Sequence, residues 1–330
     1  MRHPAAIRTS LAALAGVSLL LTACGSGGGA APASSGTQTS DGVIDVVAST
    51  NVYGDIAAVI GGDKVNVTSM ITKTSQDPHS YEATAQDRLL VSKAELVIEN
   101  GGGYDTFLHK MADDSNIPHA NIVTAVDVAG LAPEEAHAEP SPASSASADG
   151  HAHGEFNEHV WYSMDAMGKL ADSLAAKLGE LEPGSAALFT SNAATFKAGV
   201  DGLAGKLAVL KANGTGAAVA VTEPVPLYLL EAAGLENRTP ADYTAAIEEG
   251  SDVPPAVLKA ATELAGSKDI RFLAYNEQTE GPQTEALKKA AESAGVPVID
   301  FSETLPEGKT YLQWMTDNVE NVSKVLEKNS

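Results

Sequence analysis

Apolar runs rich in Val and Ile alternate with segments of helical periodicity along most of the chain. In the first half they predict strands at residues 44–48, 65–71, 96–98 and 122–125, with helices at 52–60, 83–92 and 103–112. The second half repeats this rhythm, with strands at 217–222, 270–275 and 296–301 and helices at 226–233, 254–265, 284–294 and 310–326. Strands separated by helices of about 10–15 residues indicate parallel sheets built from βαβ units. We therefore expect two α/β lobes.

Two segments interrupt the rhythm. Residues 133–158 are rich in Ser, Ala and Pro and contain His137, His151 and His153, a composition that predicts a mobile loop. After a predicted helix at 164–180, a helical pattern begins at Pro183 and continues to residue 213. At 1.5 Å per residue this helix would reach roughly 45 Å. We expect it to bridge the lobes, so that residues 43–182 form the N-terminal lobe, 183–213 the bridge and 214–330 the C-terminal lobe.

The first 23 residues have the pattern of a secretory signal. Arg2 and Arg8 precede an apolar run from residue 11 to 21, and small residues follow before Cys24. A cysteine at this point is typical of the lipobox of bacterial lipoproteins, in which the thiol is acylated. The run has about half of the roughly 20 residues that span a bilayer, which argues against a transmembrane anchor. We expect a signal peptide at 1–23, a lipid anchor on Cys24 and a flexible tether over 24–42.

Composition limits the function further. Removal of residues 1–23 leaves 19 basic against 43 acidic side chains, a formal charge of −24. Nucleic-acid binding depends on Lys and Arg neutralising phosphates, so none is expected here. Cys24 is the only cysteine, and stability must therefore come from hydrophobic cores rather than disulfides.

Four short segments each contain a candidate metal ligand, and each lies just past a predicted strand or beside the predicted loop. In open α/β sheets, ligands bind outside the carboxyl ends of the strands. Each candidate alone is a weak signal, because an isolated His or Glu in a loop is usually solvated. The four are His79, His159, Glu223 and Glu303.

The set and its order resemble the zinc/manganese family of periplasmic solute-binding lipoproteins that feed ABC transporters. The resemblance covers nearly the whole mature chain and rests on Asp77-Pro78-His79-Ser80-Tyr81-Glu82, Asn100-Gly101-Gly102-Gly103-Tyr104, His159-Val160-Trp161 and Lys309-Thr310-Tyr311-Leu312. It implies an α/β fold of two similar lobes, with parallel sheets flanked by helices, one long bridging helix and a metal site in the inter-lobe cleft. The implied metal ligands are His79, His159, Glu223 and Glu303.

The chain departs from the family pattern at two of these ligands. Asn157-Glu158 precedes His159, where the family usually has Asp-Pro. The fourth ligand is usually an Asp, so Asp300 competes with Glu303 for that role. Two imidazoles with two carboxylates are common among manganese receptors of the family, whereas a His-containing acidic loop such as 133–158 favours zinc. We lean slightly to Zn²⁺ and leave Mn²⁺ open.

The resemblance implies a receptor and not an enzyme. A shell closed by four side chains suits capture and delivery of an ion to a membrane permease, whereas catalytic zinc keeps an open position. We expect a lipid-anchored extracytoplasmic monomer. One alternative is a zinc hydrolase using His151 and His153 with Glu155 or Glu158 as base, and another is a surface adhesin.

Overall fold

Two four-stranded parallel sheets form the centre of the protein. The computed structural model describes residues 42–76, 78–131, 156–214 and 216–328. The first sheet has the order β2-β1-β3-β4 and the second has the order β6-β5-β7-β8. The two lobes therefore repeat one topology. The strands are β1 (Ile44–Thr50), β2 (Val65–Ile71), β3 (Leu96–Glu99), β4 (Ile122–Thr124), β5 (Ala217–Val221), β6 (Leu235–Asn237), β7 (Leu273–Asn276) and β8 (Val298–Phe301).

Helices flank both sheets, as the alternating pattern predicts. Short 3₁₀ turns at Gly62–Lys64, His119–Asn121, Val160–Tyr162 and Pro183–Ser185 join some of the elements. The α-helices are α1 (Asn51–Gly61), α2 (Ala85–Val91), α3 (Thr106–Asp114), α4 (Ala125–Ala129), α5 (Met164–Leu181), α6 (Ala186–Gly214), α7 (Leu227–Ala232), α8 (Ala241–Glu248), α9 (Pro255–Ala265), α10 (Pro282–Ala294) and α11 (Tyr311–Lys328).

The central strands are buried on both faces, which explains their unbroken apolar sequences. All four residues of β3, Leu-Val-Ile-Glu, are buried. Parallel strands covered by helices on both sides have near-continuous hydrophobic runs of this kind. One core cluster extends from Val46 in the first sheet through Phe196 in α6 to Met315 in α11, so the lobes share a continuous core.

Helix α6 bridges the lobes, and the fold class expected from the sequence is confirmed. It packs against α1 in the first lobe and against α7 and α11 in the second. Asn192 donates a hydrogen bond to the carbonyl of Ile60 at 2.9 Å, which ties α6 to the end of α1. At Gly199 a Cβ atom would lie 2.6 Å from Cδ1 of Leu312, so this glycine allows α11 to approach closely.

The structure differs from the sequence prediction mainly at short elements. Strand β6 and helices α4 and α8 were not predicted, because each is too short or too weakly periodic to stand out. Helix α3 begins at Thr106 rather than at Gly103, since Gly101, Gly102 and Gly103 all have positive φ and form a turn. Strand β7 begins at Leu273, three residues after the predicted start.

Several predicted features lie outside the described residues. These are the signal segment, Cys24, nearly all of the tether, Asp77, and His137, His151 and His153 of the predicted loop. Residues 156–158, at the end of that loop, are described, and Glu158 is buried. Among the helices that the structure describes, none has the length and apolarity needed to cross a membrane.

Candidate metal centre

His79 lies in the loop between β2 and α2 and faces the second lobe. Its Nε2 atom is 3.9 Å from Oε2 of Glu303, and its Nδ1 atom is 3.4 Å from Oε1 of Glu158. The ring meets that of Tyr104 edge to face, with centroids 5.0 Å apart. The side chain is 24% exposed, against 1% for His159, so it is the more open of the two imidazoles. A cavity of about 430 Å³ between the α8 and α10 regions reaches it.

His159 directly precedes the 3₁₀ turn Val160–Tyr162 and is buried. Its Nδ1 atom lies 2.7 Å from Oδ1 of Asn157. The orientation of that amide is set by the opposite group, Nδ2, which donates to the carbonyl of Pro224 at 3.0 Å. Because an amide oxygen only accepts, Nδ1 of His159 carries the proton and Nε2 is the atom suited to bind a metal.

Glu223 and Glu303 follow β5 and β8, at the carboxyl edge of the second sheet. Both are buried. The buried Asn276, at the end of β7, donates through Nδ2 to Oε2 of Glu223 at 2.5 Å and to Oε1 of Glu303 at 2.8 Å. One amide group thus holds two carboxylates together.

Further hydrogen bonds brace the same two carboxylates. Thr279 donates to Oε2 of Glu223 at 2.6 Å, and Tyr104 donates to Oε2 of Glu303 at 3.2 Å. Gln278 accepts from the backbone N–H of Glu303 at 2.6 Å. Asn276, at the end of β7, and Gln278, just past it, thus contact the segments that carry Glu223 and Glu303.

The structure links all four predicted site residues through a chain of contacts. The rings of His79 and His159 have centroids 6.2 Å apart, His79 approaches Glu303, and Glu303 shares Asn276 with Glu223. Asp300, the competing candidate, is an exposed residue of β8. Its exposure, against the burial of Glu303, favours Glu303 as the site residue.

Sequence reasoning did not place two acidic side chains in the centre. Glu158 groups with His79 and His159, so that one potential ligand atom from each lies within 4.8 Å of the others. Glu248, on α8, has Oε1 at 4.0 Å from Nδ1 of His159. The position of Glu158 directly before His159 could have indicated that it lies in the centre. No sequence signal places Glu248 there, because the pattern of α8 is too weak to predict the helix that carries it.

Burial and crowding of negative charge shift the ionisation of these groups. Burial, followed by the charges of Glu248, Asp105 and Glu303, raises the pKa of Glu158 to about 9. Burial, followed by the charge of Glu223, raises the pKa of Glu248 to about 7. Burial and the neighbouring His79 hold the pKa of His159 well below its usual value. Neutral imidazole beside crowded carboxylates suits a divalent cation, which would offset the repulsion.

Aromatic side chains form a wall beneath the two imidazoles. Trp161 lies 5.1 Å from His159 and 4.9 Å from Tyr104, measured between ring centroids. Trp161 and Trp314 are both buried and belong to the hydrophobic core. The wall limits rotation of the imidazole rings and therefore preorganises them.

A family model described as zinc-uptake complex component A, periplasmic (ZnuA), matches residues 46–325. The chain belongs to this family. The ZnuA family match covers both lobes and the bridging helix, in agreement with the resemblance seen in the sequence.

Individual relatives of this ZnuA-family chain are distant but extend over most of its length. The manganese ABC transporter substrate-binding lipoprotein scaA of Streptococcus gordonii is 23% identical over 313 residues, which cover 89% of this chain and 92% of that protein. A structure of the SBP FpvC from Pseudomonas aeruginosa in complex with Mn²⁺ has a TM-score of 0.67 at 20% identity, covering 87% of this chain and 100% of that one. The periplasmic zinc-binding protein TroA of Treponema pallidum has a TM-score of 0.66 at 20% identity, covering 86% and 99%. These names include both metals, and the two structures show the shared fold.

Proposed function

We propose that the protein is an extracytoplasmic receptor that binds one divalent transition-metal ion and delivers it to the permease of an ABC transporter. The observation that supports this proposal is the approach of the His79–His159 pair in the first lobe to Glu303 in the second, with Glu223 linked to Glu303 through the amide of Asn276. Membership of the ZnuA family supports the same function.

The proposed ligands are the two imidazoles and the two carboxylates, with Nε2 as the binding atom of each histidine. Asn157 would orient His159 through Nδ1, and Glu158 would orient His79 in the same way at 3.4 Å. Histidines that bind metals commonly donate their second ring N–H to a carboxylate or carbonyl, which fixes the tautomer and the ring plane. Glu158 therefore acts beside the ion rather than as one of the four ligands.

Four protein ligands close the coordination shell and exclude an activated water, so we infer binding without catalysis. His79 is partly exposed and lies beside a cavity, and we infer that the ion enters and leaves past it. Docking of the permease would open this side of the centre. The shared core across α6 makes a modest shift of loops and lobes more favourable than a wide hinge motion.

The cargo is Zn²⁺ or Mn²⁺. Imidazole is a preferred ligand of zinc, whereas carboxylates are preferred ligands of manganese. The acidic segment with His137, His151 and His153 gives zinc a slight preference, through transient capture outside the centre. Because the Irving–Williams order favours Zn²⁺ at almost any such site, growth and metal content of a deletion strain will identify the physiological cargo better than affinity will.

The cellular location that we propose rests on the sequence. The signal pattern over 1–23 and the lipidation of Cys24 would anchor the chain to the outer surface of the cell membrane, with residues 24–42 as a tether. A monomer suffices, since both halves of the centre come from one chain.

The first experiment is titration of the metal-stripped protein with Zn²⁺ and with Mn²⁺. We expect one tight site that is lost in His79→Ala and in Glu303→Gln, because these residues come from different lobes. Asp300→Asn is the matched control and should bind as the wild type does. Tight binding that survives both changes but disappears when His137, His151 and His153 are replaced by Ala would move the site into the predicted loop and overturn the proposal.

A further inference from the structure

The last turn of α3 carries a second group of metal-binding side chains, on the first lobe and separate from the centre. His109 and Asp113 are four residues apart on this helix, so their side chains lie on one face. His119 follows in the 3₁₀ turn His119–Asn121. These two histidines belong to no part of the proposed receptor centre.

The end of α3 fixes the position of His119. Asn116 has φ of 56°, a left-handed conformation that Asn tolerates. The N–H of Ile117 bonds to the carbonyl of Ala112 at 3.0 Å and that of Asn116 to Asp113 at 2.9 Å, which together form a Schellman motif. Ile117 is buried with Met111 and Ala112. The chain is therefore turned back tightly, and His119 comes to lie beside the final helical turn.

Both imidazoles converge on one carboxylate. Nε2 of His109 is 3.7 Å from Oδ2 of Asp113, and Nε2 of His119 is 3.2 Å from Oδ1. The ring centroids of His109 and His119 are 6.2 Å apart, the same separation as for His79 and His159. The His119 side chain is 80% exposed, so a small rotation toward an ion would meet little resistance.

A buried carboxylate orients the inner imidazole of this group. Oε1 of Glu99 lies 2.9 Å from Nδ1 of His109 and accepts a hydrogen bond from Thr124 at 2.8 Å. Its other oxygen, Oε2, is buried with no hydrogen-bond partner among the described residues. A carboxylate that accepts from Nδ1 turns Nε2 toward a metal and raises the basicity of the ring. A cation bound at Nε2 of His109 would also offset the burial of Glu99.

We propose that His109, Asp113 and His119 form a second divalent transition-metal site on the surface of the first lobe. Its protein ligands are Nε2 of each histidine and the carboxylate of Asp113, with water completing the shell. Two imidazoles and one carboxylate suit Zn²⁺ and its neighbours in the transition series. Exposure and the smaller number of protein ligands make this site weaker than the inter-lobe centre.

Protons compete for the same atoms. Burial alone would lower the pKa of His109, but the hydrogen bond and charge of Glu99, with Asp113 and Asp105, raise it overall. Zn²⁺ titrations are therefore best made at pH 8, where more of the ring is neutral.

The test measures the number of Zn²⁺ ions bound per chain, in the full protein with His137, His151 and His153 replaced by Ala. We expect one tight and one weak ion. His119→Ala should remove the weak ion alone, and the matched control Asn121→Ala, in the same turn, should retain both. His79→Ala should remove the tight ion and leave the weak one, so that failure of the receptor centre is separable from failure of this site. A single ion in the background protein, or a weak ion unaffected by His119→Ala, would overturn the proposal.

Glu99→Gln tests the positioning role. The substitution preserves the size of the side chain and should weaken the second site by about 10- to 100-fold, the usual effect of removing a group that orients a metal ligand. Tight binding at the inter-lobe centre reports whether the variant has folded. An unchanged weak site in a folded Glu99→Gln protein would exclude this role.

Discussion

The two lobes share a strand order but contribute different chemistry to the centre. The first lobe supplies imidazoles, from a loop after β2 and from the segment after residue 155, and the second supplies carboxylates directly after β5 and β8. The carboxylates share the amide of Asn276, whereas His79 is partly exposed. Hydrogen bonds therefore brace the acidic half of the centre, and the entry route that we propose for the ion lies on the side of His79.

Removal of a ligand should have the largest effect. Apparent binding free energies of four-ligand zinc sites are about 10–16 kcal/mol, so His159→Ala should remove roughly 3 kcal/mol, or more than about 100-fold in affinity. Competition titration against a chelating dye measures this. His119→Ala is the control, because it alters an imidazole outside the centre. Equal tight affinity in wild type and His159→Ala would remove His159 from the ligand set.

A smaller effect is expected from the amide that links the two carboxylates. Asn276→Ala leaves Glu223 and Glu303 without their shared donor, and the affinity of the tight site should fall by about 10- to 100-fold. The exposed Asn321→Ala, on α11, serves as control and should change nothing. If Asn276→Ala binds the metal as tightly as the wild type does, Glu223 and Glu303 do not need the amide of Asn276 to hold their positions.

The protonation of Glu158 should differ between the metal-free and the metal-bound protein. Its pKa of about 9 in the folded protein lies above the usual value for Glu, so it holds a proton at neutral pH. A bound cation would lower this pKa, and we expect Glu158 to release about one proton per ion near pH 7, with a further fraction of a proton from Glu248, whose pKa is about 7. Calorimetry in buffers of different ionisation enthalpy measures the release. In Glu158→Gln it should be smaller by about one proton, and equal release would show that the proton comes from elsewhere.

The same raised pKa affects stability without metal. Between pH 7 and 9 the folded protein keeps a proton on Glu158 that the unfolded chain has lost, so Glu158 makes the free energy of unfolding fall as pH rises, by at most about 1.4 kcal/mol per unit. Glu248, whose pKa is raised to about 7, adds to this fall near pH 7. His159, whose pKa is lowered, adds its pH dependence below about 6.5, outside this window. Denaturant unfolding at several pH values tests this slope. Glu158→Gln should flatten it, and a stability that rises from pH 7 to 9 would contradict the assignment.

The bridge between the lobes gives the smallest effect. Gly202 has open space around its Cβ position, so Gly202→Ala should raise the free energy of unfolding by about 1 kcal/mol through helix propensity. Gly199→Ala is the contrasting variant, because its Cβ would lie 2.6 Å from Leu312 and offset that gain. Thermal unfolding should separate the two, while metal affinity stays unchanged in Gly202→Ala. Equal stabilisation by both would mean that Leu312 moves aside freely.

Most of the fold was predictable because its signals are local. Val-rich runs and the 3.6-residue period predicted seven of the eight strands found in the described part of the chain, and the long helix, within a few residues at their ends. Strand β6 and helix α8 were missed because they are short and their patterns are weak, so packing against neighbours decides their conformation. The loop expected over 133–158 ends in residues 156–158, which pack into the centre through Asn157 and Glu158.

Strand periodicity and contiguous motifs are properties of the chain, so the class of fold, the family and the four residues proposed as ligands could be predicted without a structure. The surroundings of those four residues could not. The choice of Glu303 over Asp300 depends on burial, and the roles of Glu158, Glu248 and Asn276 depend on contacts between segments far apart in the chain. The grouping of His109 with His119 likewise depends on the turn that ends α3. Hydrogen bonding, desolvation and charge crowding act through space, and no local pattern records them.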